Sequence, residues 1–510
     1  MTRLLFSDDV EPERRRRLEY AFGEVLRLGG VLVPMEGTTV GYGVEGDITI
    51  HPSTADEPTG ALLRRSGEPL GSFDWPTELF SLFADTRTRL PGKPLYADDS
   101  GKSLVTLDGD RVHLVDPLAT AWHLLGQEEE RRFPERRDAH GRLSLGTTAL
   151  PPETFTKPWL EEWGRFFAGA LAIRNTVVRY GRHPGGADWS VVLTHDVDSL
   201  SERSLWRALR LLAAGLIKFS RAHLRAAGRM FSLLNRPDRH RCLDVCVAAD
   251  APDRATYLFH AGRRGRWDPE YKLEKLTREL AFLKRTGQEI GVHYGYETAG
   301  DFEKLGAELA AFERATGLPP TGGRAHYLHL RGPDDLGLIA RTGLAYDSSL
   351  GFPDGPGYRV GTGGPYRVNS VSGESSNLFE LPLVVMDGAL FKKYGEGEVD
   401  VEDAWSRVRP YLDAAREAGA ALCILWHQRV FGPAYPGWGE IFRRILAYAR
   451  ENGAWCGPAG EFIEHARAAE QMFAGEGKII NNSSKTIRLS ISTNPKKTVE
   501  LHPGETLPVS

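Results

Sequence analysis

At 510 residues the chain is too long for one ordinary hydrophobic core, and two or three domains are expected. A formal charge of −4 and a pI near 6.5 exclude the basic footprint of a nucleic-acid binder. No run reaches the ~18 uninterrupted apolar residues that would mark a membrane helix, and the four cysteines are too sparse for a disulfide framework.

Met1-Thr2-Arg3-Leu4-Leu5-Phe6 offers no apolar signal core before the basic run Arg14 to Arg17, so a cytoplasmic protein is expected. Residues 1 to about 150 read as a separate α+β unit. Glu13 to Leu28 has helical periodicity, while Gly43 to His51 and Leu104 to Leu114 alternate like short strands. Ala119 to Glu130 leads through Asp138-Ala139-His140-Gly141-Arg142 to a helix over Trp159 to Ala172. The histidines of this unit, His51, His113, His123 and His140, are scattered and read as surface or cap residues.

Ser190-Val191-Val192-Leu193 then runs straight into Thr194, His195, Asp196 and Asp198. Such an apolar run suits a parallel strand buried on both faces. Side chains two apart on a strand point the same way, so Asp196 and Asp198 face one spot at its C-terminal end. Two carboxylates there repel unless a cation sits with them, and a divalent metal with one Asp as ligand and one as base answers that need.

Residues 201 to 241 follow as an insertion with ten Lys/Arg against two acids. Leu205, Leu209, Leu212, Leu216, Phe219 and Leu224 recur at roughly helical spacing. The segment is expected to pack on the barrel with Trp206 and Phe219 in the core; the alternatives are a peripheral contact with an anionic membrane surface or assembly, or a guide for an anionic polymer. Cys242-x3-Cys246 alternates with Leu243 and Val245 and reads as a strand.

The apolar-run-then-ligand pattern repeats. Gln288 to Val292 runs into His293, Gly343 to Tyr346 into Asp347, Leu381 to Met386 into Asp387, and Ala420 to Trp426 into His427. Gly322-Gly323-Arg324-Ala325-His326-Tyr327 starts from a glycine pair and carries Arg and His close together. Helical patterns lie between them, at Leu273 to Leu283, Phe302 to Thr316 and Ala404 to Ala418. Short buried strands that each end in a ligand or acid/base residue are what the active face of a (β/α) barrel requires. From about 476 the chain changes to a small β unit, too short to bury a core alone, which must dock on the barrel or on a partner.

Taken in order, Thr194-His195-Asp196-Val197-Asp198, His293, Arg324-Ala325-His326-Tyr327, Tyr346-Asp347-Ser348-Ser349 and Leu425-Trp426-His427 resemble the polysaccharide deacetylases of the NodB-homology group, carbohydrate esterase family 4. The resemblance covers roughly residues 186 to 470. It implies a distorted, NodB-like (β/α) barrel over 151–475, between the N-terminal unit and the β tail. The N-terminal half resembles the accessory region that precedes some Thr-His-Asp-Val-Asp deacetylases.

The resemblance also implies roles. Asp196 would be the general base, paired with Arg324. Asp198 and His293 would hold a divalent metal, zinc first among the candidates. The backbone N–H of Tyr327 would face the oxyanion, and His427 would be the general acid with Asp387 as its partner. His326, Tyr327 and Trp426 would contact substrate. The family pattern has a second histidine four residues after the first, where this chain has Glu297. If 293 to 297 forms one helical turn, Glu297 shares a face with His293 and can be the third ligand; His326 and His329 are its rivals. Tyr294, Tyr296, Phe352 and Tyr358 join the candidate stacking residues, with Arg331 and Arg359 near in sequence. They predict an N-acetylated, anionic or lipid-linked saccharide as substrate. The expected activity is metal-dependent carbohydrate N-deacetylation. Its alternatives are hydrolysis of a small cyclic or linear amide, and a catalytically silent relative that binds glycans or scaffolds an assembly.

Overall fold

The computed structural model describes residues 3–508 except 33–37, 56, 67–74, 86–88, 175, 199, 201–204, 234–241, 263–264, 269–270, 370–374, 392–398, 433–434, 476–477 and 493–496. The architecture is mixed α/β around a sheet curled into a half-barrel. In spatial order its strands are Tyr366–Asn369, Ser375–Glu380, Tyr346–Asp347, Gly322–Ala325, Glu289–Tyr294, Thr256–Phe259, Ser190–Val197, Ala421–Leu425 and Leu383–Met386. Trp455–Gly457 also pairs with the start of Ser190–Val197. All these pairs are parallel except the hairpin between Tyr366–Asn369 and Ser375–Glu380.

Ser190–Val197 is buried along its whole length, as its apolar run requires. Parallel pairing brings the C-terminal ends of the strands to one face, so Asp196, Asp198, His293, Arg324, Asp387 and His427 emerge together. The intervening helices carry their own boundary signals. Asp301 caps Phe302–Thr316 through the Lys304 amide at 3.0 Å, and Asp400 caps Val401–Ala418 through the Glu402 and Asp403 amides at 3.1 and 3.0 Å. Both helices end on left-handed glycines, Gly317 and Gly419.

Two elements differ from the sequence reading. Cys242 to Cys246 is no strand: Leu243–Asp250 is a helix, and Leu243 and Cys246 are buried three apart on one of its faces. Thr256–Phe259 is an additional strand, whose four residues are too few to display a period.

The N-terminal segment forms its own eight-stranded sheet. Arg3–Phe6, Thr39–Tyr42, Ile48–His51 and Arg111–Val115 are parallel, and the sheet continues antiparallel through Ser103–Asp108 to Glu78–Ser81. Helices Pro12–Leu28 and Trp159–Leu171 pack together beside it, with Phe22 edge-on to Phe167 at 5.5 Å. They approach so closely that a Cβ on Gly164 would fall 2.5 Å from the Gly29 Cα, which explains the glycine at that crossing. The apolar core runs without a break from this segment into the half-barrel.

Buried charge also ties the two parts together. Glu130 is ion-paired to Arg137 and, across to the barrel, to Arg359. Burial opposes the Glu130 charge, yet the two guanidinium groups outweigh it and hold the carboxyl below its ordinary range. Glu130→Ala leaves two buried cations without their carboxylate and is expected to cost about 3–5 kcal/mol of stability in urea unfolding. A loss below about 1 kcal/mol would equate the pair with an exposed one.

The tail docks on the chain itself. Ile487–Ile491 pairs with both Lys497–Leu501 and Val178–Tyr180, and Lys478–Asn481 pairs with Met472–Gly475 and Thr506–Pro508. Ile479, Ile487, Leu489 and Leu501 bury against Val178, Ala468 and Met472. No described helix is long and apolar enough to cross a membrane.

Candidate active site

At the C-terminal face of the half-barrel lies a cavity of about 1060 Å³, with Asp196, Asp198, His293, His326 and His427 among its lining residues. One carboxylate oxygen of Asp198 and one ring nitrogen each of His293 and His326 lie within 4.8 Å of one another. The His293 Nδ1–H donates to the Arg324 carbonyl at 2.9 Å, which fixes the tautomer and leaves Nε2 as a lone pair 3.3 Å from Asp198 Oδ1. His326 is oriented the same way, by Nδ1 on the Asp268 carboxylate at 3.1 Å, with Nε2 3.8 Å from the same Asp198 oxygen. Asp198 Oδ1 is buried with no hydrogen-bond donor among the described residues.

A buried oxygen without a donor, facing two imidazole lone pairs whose far nitrogens are anchored, is the donor set that a divalent ion such as zinc fits. The electrostatics agree. Burial opposes protonation of His293, but Asp196 and Asp198 outweigh it and raise its pKa, a sign of how much negative charge converges here.

Two ion pairs flank this set. Asp196 Oδ1 accepts from Arg324 Nη1 at 2.8 Å, and its Oδ2 lies 3.7 Å from His293 Nε2. Arg324 is fully buried and is itself held by the Ser348 carbonyl at 2.7 Å and the Ser348 hydroxyl at 2.9 Å. The Asp387 carboxylate accepts from His427 Nδ1 at 2.7 Å and from the His427 amide at 2.8 Å, while His427 Nε2 lies 3.1 Å from Asp198 Oδ2. Burial lowers the His427 pKa, but Asp387 and then Asp198 outweigh it and push it up to about 10. The imidazole is therefore held protonated and aimed into the cavity.

Other expected residues stand elsewhere. Glu297 is not brought to the metal-type cluster. The strand runs on through Tyr294, and only Tyr296–Thr298 forms a 3-10 turn, so the helical spacing from His293 never arises. The Glu297 side chain is 61% exposed, with Lys304 Nζ at 4.0 Å. His329 stacks on Tyr296 at 3.8 Å and binds its carbonyl. Trp426 is wholly buried against Phe391 and Phe442 and donates to the Trp438 carbonyl at 3.1 Å, so it is core and touches no substrate space. Tyr294, Phe352 and Tyr358 are core as well, and Arg359 is committed to Glu130.

His195, buried beside Asp196, spans the Trp426 carbonyl at 2.6 Å and Asp250 Oδ1 at 2.9 Å. Tyr257 donates to the other Asp250 oxygen at 2.6 Å. His195, Cys246 and Asp250 form a second group of ligand type, in which His195 and Asp250 are already bonded to each other.

The N-terminal segment supplies a wall that the sequence did not betray. Asp138, His140 and Arg142 line the cavity. Arg142 grips Asp138 at 2.7 and 2.9 Å and donates to the Tyr327 carbonyl at 2.6 Å. Tyr327 sits in a left-handed conformation, φ 63°, which a tyrosine adopts only when its surroundings hold it there. His140, Trp267, Tyr296 and Tyr327 form an aromatic rim, with ring centroids 4.9 Å apart for His140–Tyr327 and 5.1 Å for His140–Trp267. Asp268, which orients His326, lies in a loop where no periodicity or motif marks it.

No family model and no curated protein matches the chain. Among solved structures it is similar to two proteins described as polysaccharide deacetylases. The one from Mycobacterium smegmatis is 20% identical, with 56% of this chain and 93% of that one covered and a TM-score of 0.36. The one from Pseudomonas aeruginosa PAO1 is 16% identical, with 56% and 93% covered and a TM-score of 0.37. It is also similar to Puue allantoinase, at 17% identity, 57% and 93% coverage and a TM-score of 0.35. The chemistry of the site rests on its own geometry.

Proposed function

We propose that the protein is a metal-dependent hydrolase that removes N-acetyl groups from a saccharide. The observation that supports this reading is the meeting, on one cavity floor, of the Asp198/His293/His326 donor set with an arginine-clamped carboxylate and a carboxylate-clamped imidazole. Asp198, His293 and His326 would hold the ion, which would supply Lewis acidity to the amide carbonyl and to water.

The chain's own groups do the rest. Asp196, with one oxygen held by Arg324, takes the proton of the attacking water on the other. The Tyr327 N–H donates to the oxygen that gains charge. His427 gives its Nε2 proton to the leaving amine, which departs poorly as an anion, and Asp387 keeps the ring charged and oriented. Acetate and a free amino sugar result. The aromatic rim suits a sugar ring, and the Arg429 cation at the cavity wall suits a carboxylate or phosphate on the glycan.

The test is acetate release from neutral chito-oligomers, anionic N-acetylated glycans and small cyclic amides, with preference for the anionic glycans expected. Turnover confined to cyclic amides would replace this reading with amide hydrolysis, and failure to take up a divalent ion or turn over any of these substrates when metal is supplied would favour the silent binder. Two variants refine the assignment. His427→Ala is expected to lower amide hydrolysis by about 10²- to 10⁴-fold and to spare activated aryl esters, whose leaving group departs unprotonated. Equal losses on both would remove His427 as the acid. Arg142→Ala, which frees the Tyr327 turn, is expected to lower kcat/KM on amides by about 10- to 100-fold. An unchanged kcat/KM would show that the turn holds its shape unaided.

A further inference from the structure

We propose that the helical hairpin Leu205–Ile217 and Arg221–Leu233 is a docking surface for an anionic lipid bilayer, entered by its turn. The two helices pack on each other and bury Ala208, Leu211, Ala226, Ala227 and Met230. The expectation that Phe219 is core does not hold: it is 93% exposed, next to Ile217 at 78% and Leu216 at 60% (the Trp206 side chain lies outside the described residues). Leu205, Leu209 and Leu224 are exposed too, so this short stretch holds six of the eleven large apolar side chains left in solvent among the described residues. Single exposed apolar residues are ordinary on a protein surface, but a contiguous group marks an interaction site.

Charge identifies the occupant. Residues 205–233 contain Arg207, Arg210, Lys218, Arg221, Arg225 and Arg229 and no Asp or Glu, in a chain whose net charge is −4. Arg210, Lys218, Arg221 and Arg225 are exposed, with Lys218 next to Phe219 and Arg221 two residues after it. An apolar tip ringed by cations matches a bilayer interface, where acyl chains take the Leu, Ile and Phe side chains and lipid phosphates take the Lys and Arg heads. A soluble anionic polymer would use the cations but leave the three tip residues in water.

The inference is independent of the catalytic reading, and so is its test. The full-length protein would be sedimented with vesicles of phosphatidylglycerol and phosphatidylcholine, and with phosphatidylcholine vesicles alone. Binding is expected to the anionic vesicles and to weaken as salt rises. Ile217→Asp combined with Phe219→Asp is expected to weaken it by about 10- to 100-fold. Lys218→Gln with Arg221→Gln and Arg225→Gln is expected to do the same on anionic vesicles only. These side chains are in solvent, so thermal midpoints should stay at the wild-type value, and the lipid-charge and salt dependence of the wild type tests the idea without any variant.

No binding above the phosphatidylcholine control would overturn the proposal, as would full binding by the Asp double variant. Self-association in sedimentation velocity that the same double variant abolishes, without vesicle binding, would assign the tip to a second copy instead. Retention on dextran sulfate that the double variant leaves intact, again without vesicle binding, would assign the cations to an anionic polymer.

Discussion

His326→Ala is expected to leave the purified protein without its divalent ion and without turnover. Metal analysis of dialysed wild type should give close to one ion per chain, and His326→Ala, His293→Ala and Asp198→Ala should each fall to background. The reason is that each removes one of the three ligand-type atoms that converge among the described residues, leaving two, too few to hold the ion against dialysis. Glu297→Ala should keep both metal and activity, because its carboxylate points to Lys304 at the surface. Asp268→Ala should keep a folded site but weaken metal binding by about 10- to 100-fold, since His326 loses the partner that fixes its ring. Full metal in His326→Ala, or its loss in Glu297→Ala, would move the third ligand and sink the set proposed above.

Asp196→Asn separates base from ligand. The amide is the same size as the carboxylate and can still accept from Arg324, so metal content should match the wild type. Only the proton acceptor is gone, and acetate release should fall by about 10²- to 10⁴-fold. Metal loss in this variant would make Asp196 a ligand and not a base. Arg324→Lys probes the same pair from the other side. A lysine cannot donate both to Asp196 and to the Ser348 carbonyl and hydroxyl as the guanidinium does, so it should lose both activity and stability.

Much of the half-barrel could be read from single strands. The run Ser190 to Leu193 is apolar at successive positions because both of its faces are covered, and that pattern survives in the sequence without any neighbour. Likewise Asp301 and Gly317, or Asp400 and Gly419, bracket their helices through contacts a few residues long. The strand Thr256–Phe259 and the helix Leu243–Asp250 were less legible: the first is too short to show a period, and alternation over five residues imitated a strand in the second.

Sequence by itself therefore determined which residues end strands at one face: Asp196, Asp198, His293, Arg324, Asp387 and His427. That follows from local order along each strand and from the rule that parallel strands share an active end. Tertiary structure alone decided which of these ends meet. It placed His326 beside Asp198 and His293 and left Glu297 exposed, because the backbone stays extended through Gly295 and turns only once beyond it. It likewise sent Trp426 inward and left Phe219 in solvent, and it drew His140 and Arg142, in a loop after the N-terminal sheet, across to wall the cavity. Contacts between residues more than a hundred positions apart, such as Arg142 on Tyr327, depend on how whole elements pack, and no local pattern encodes that.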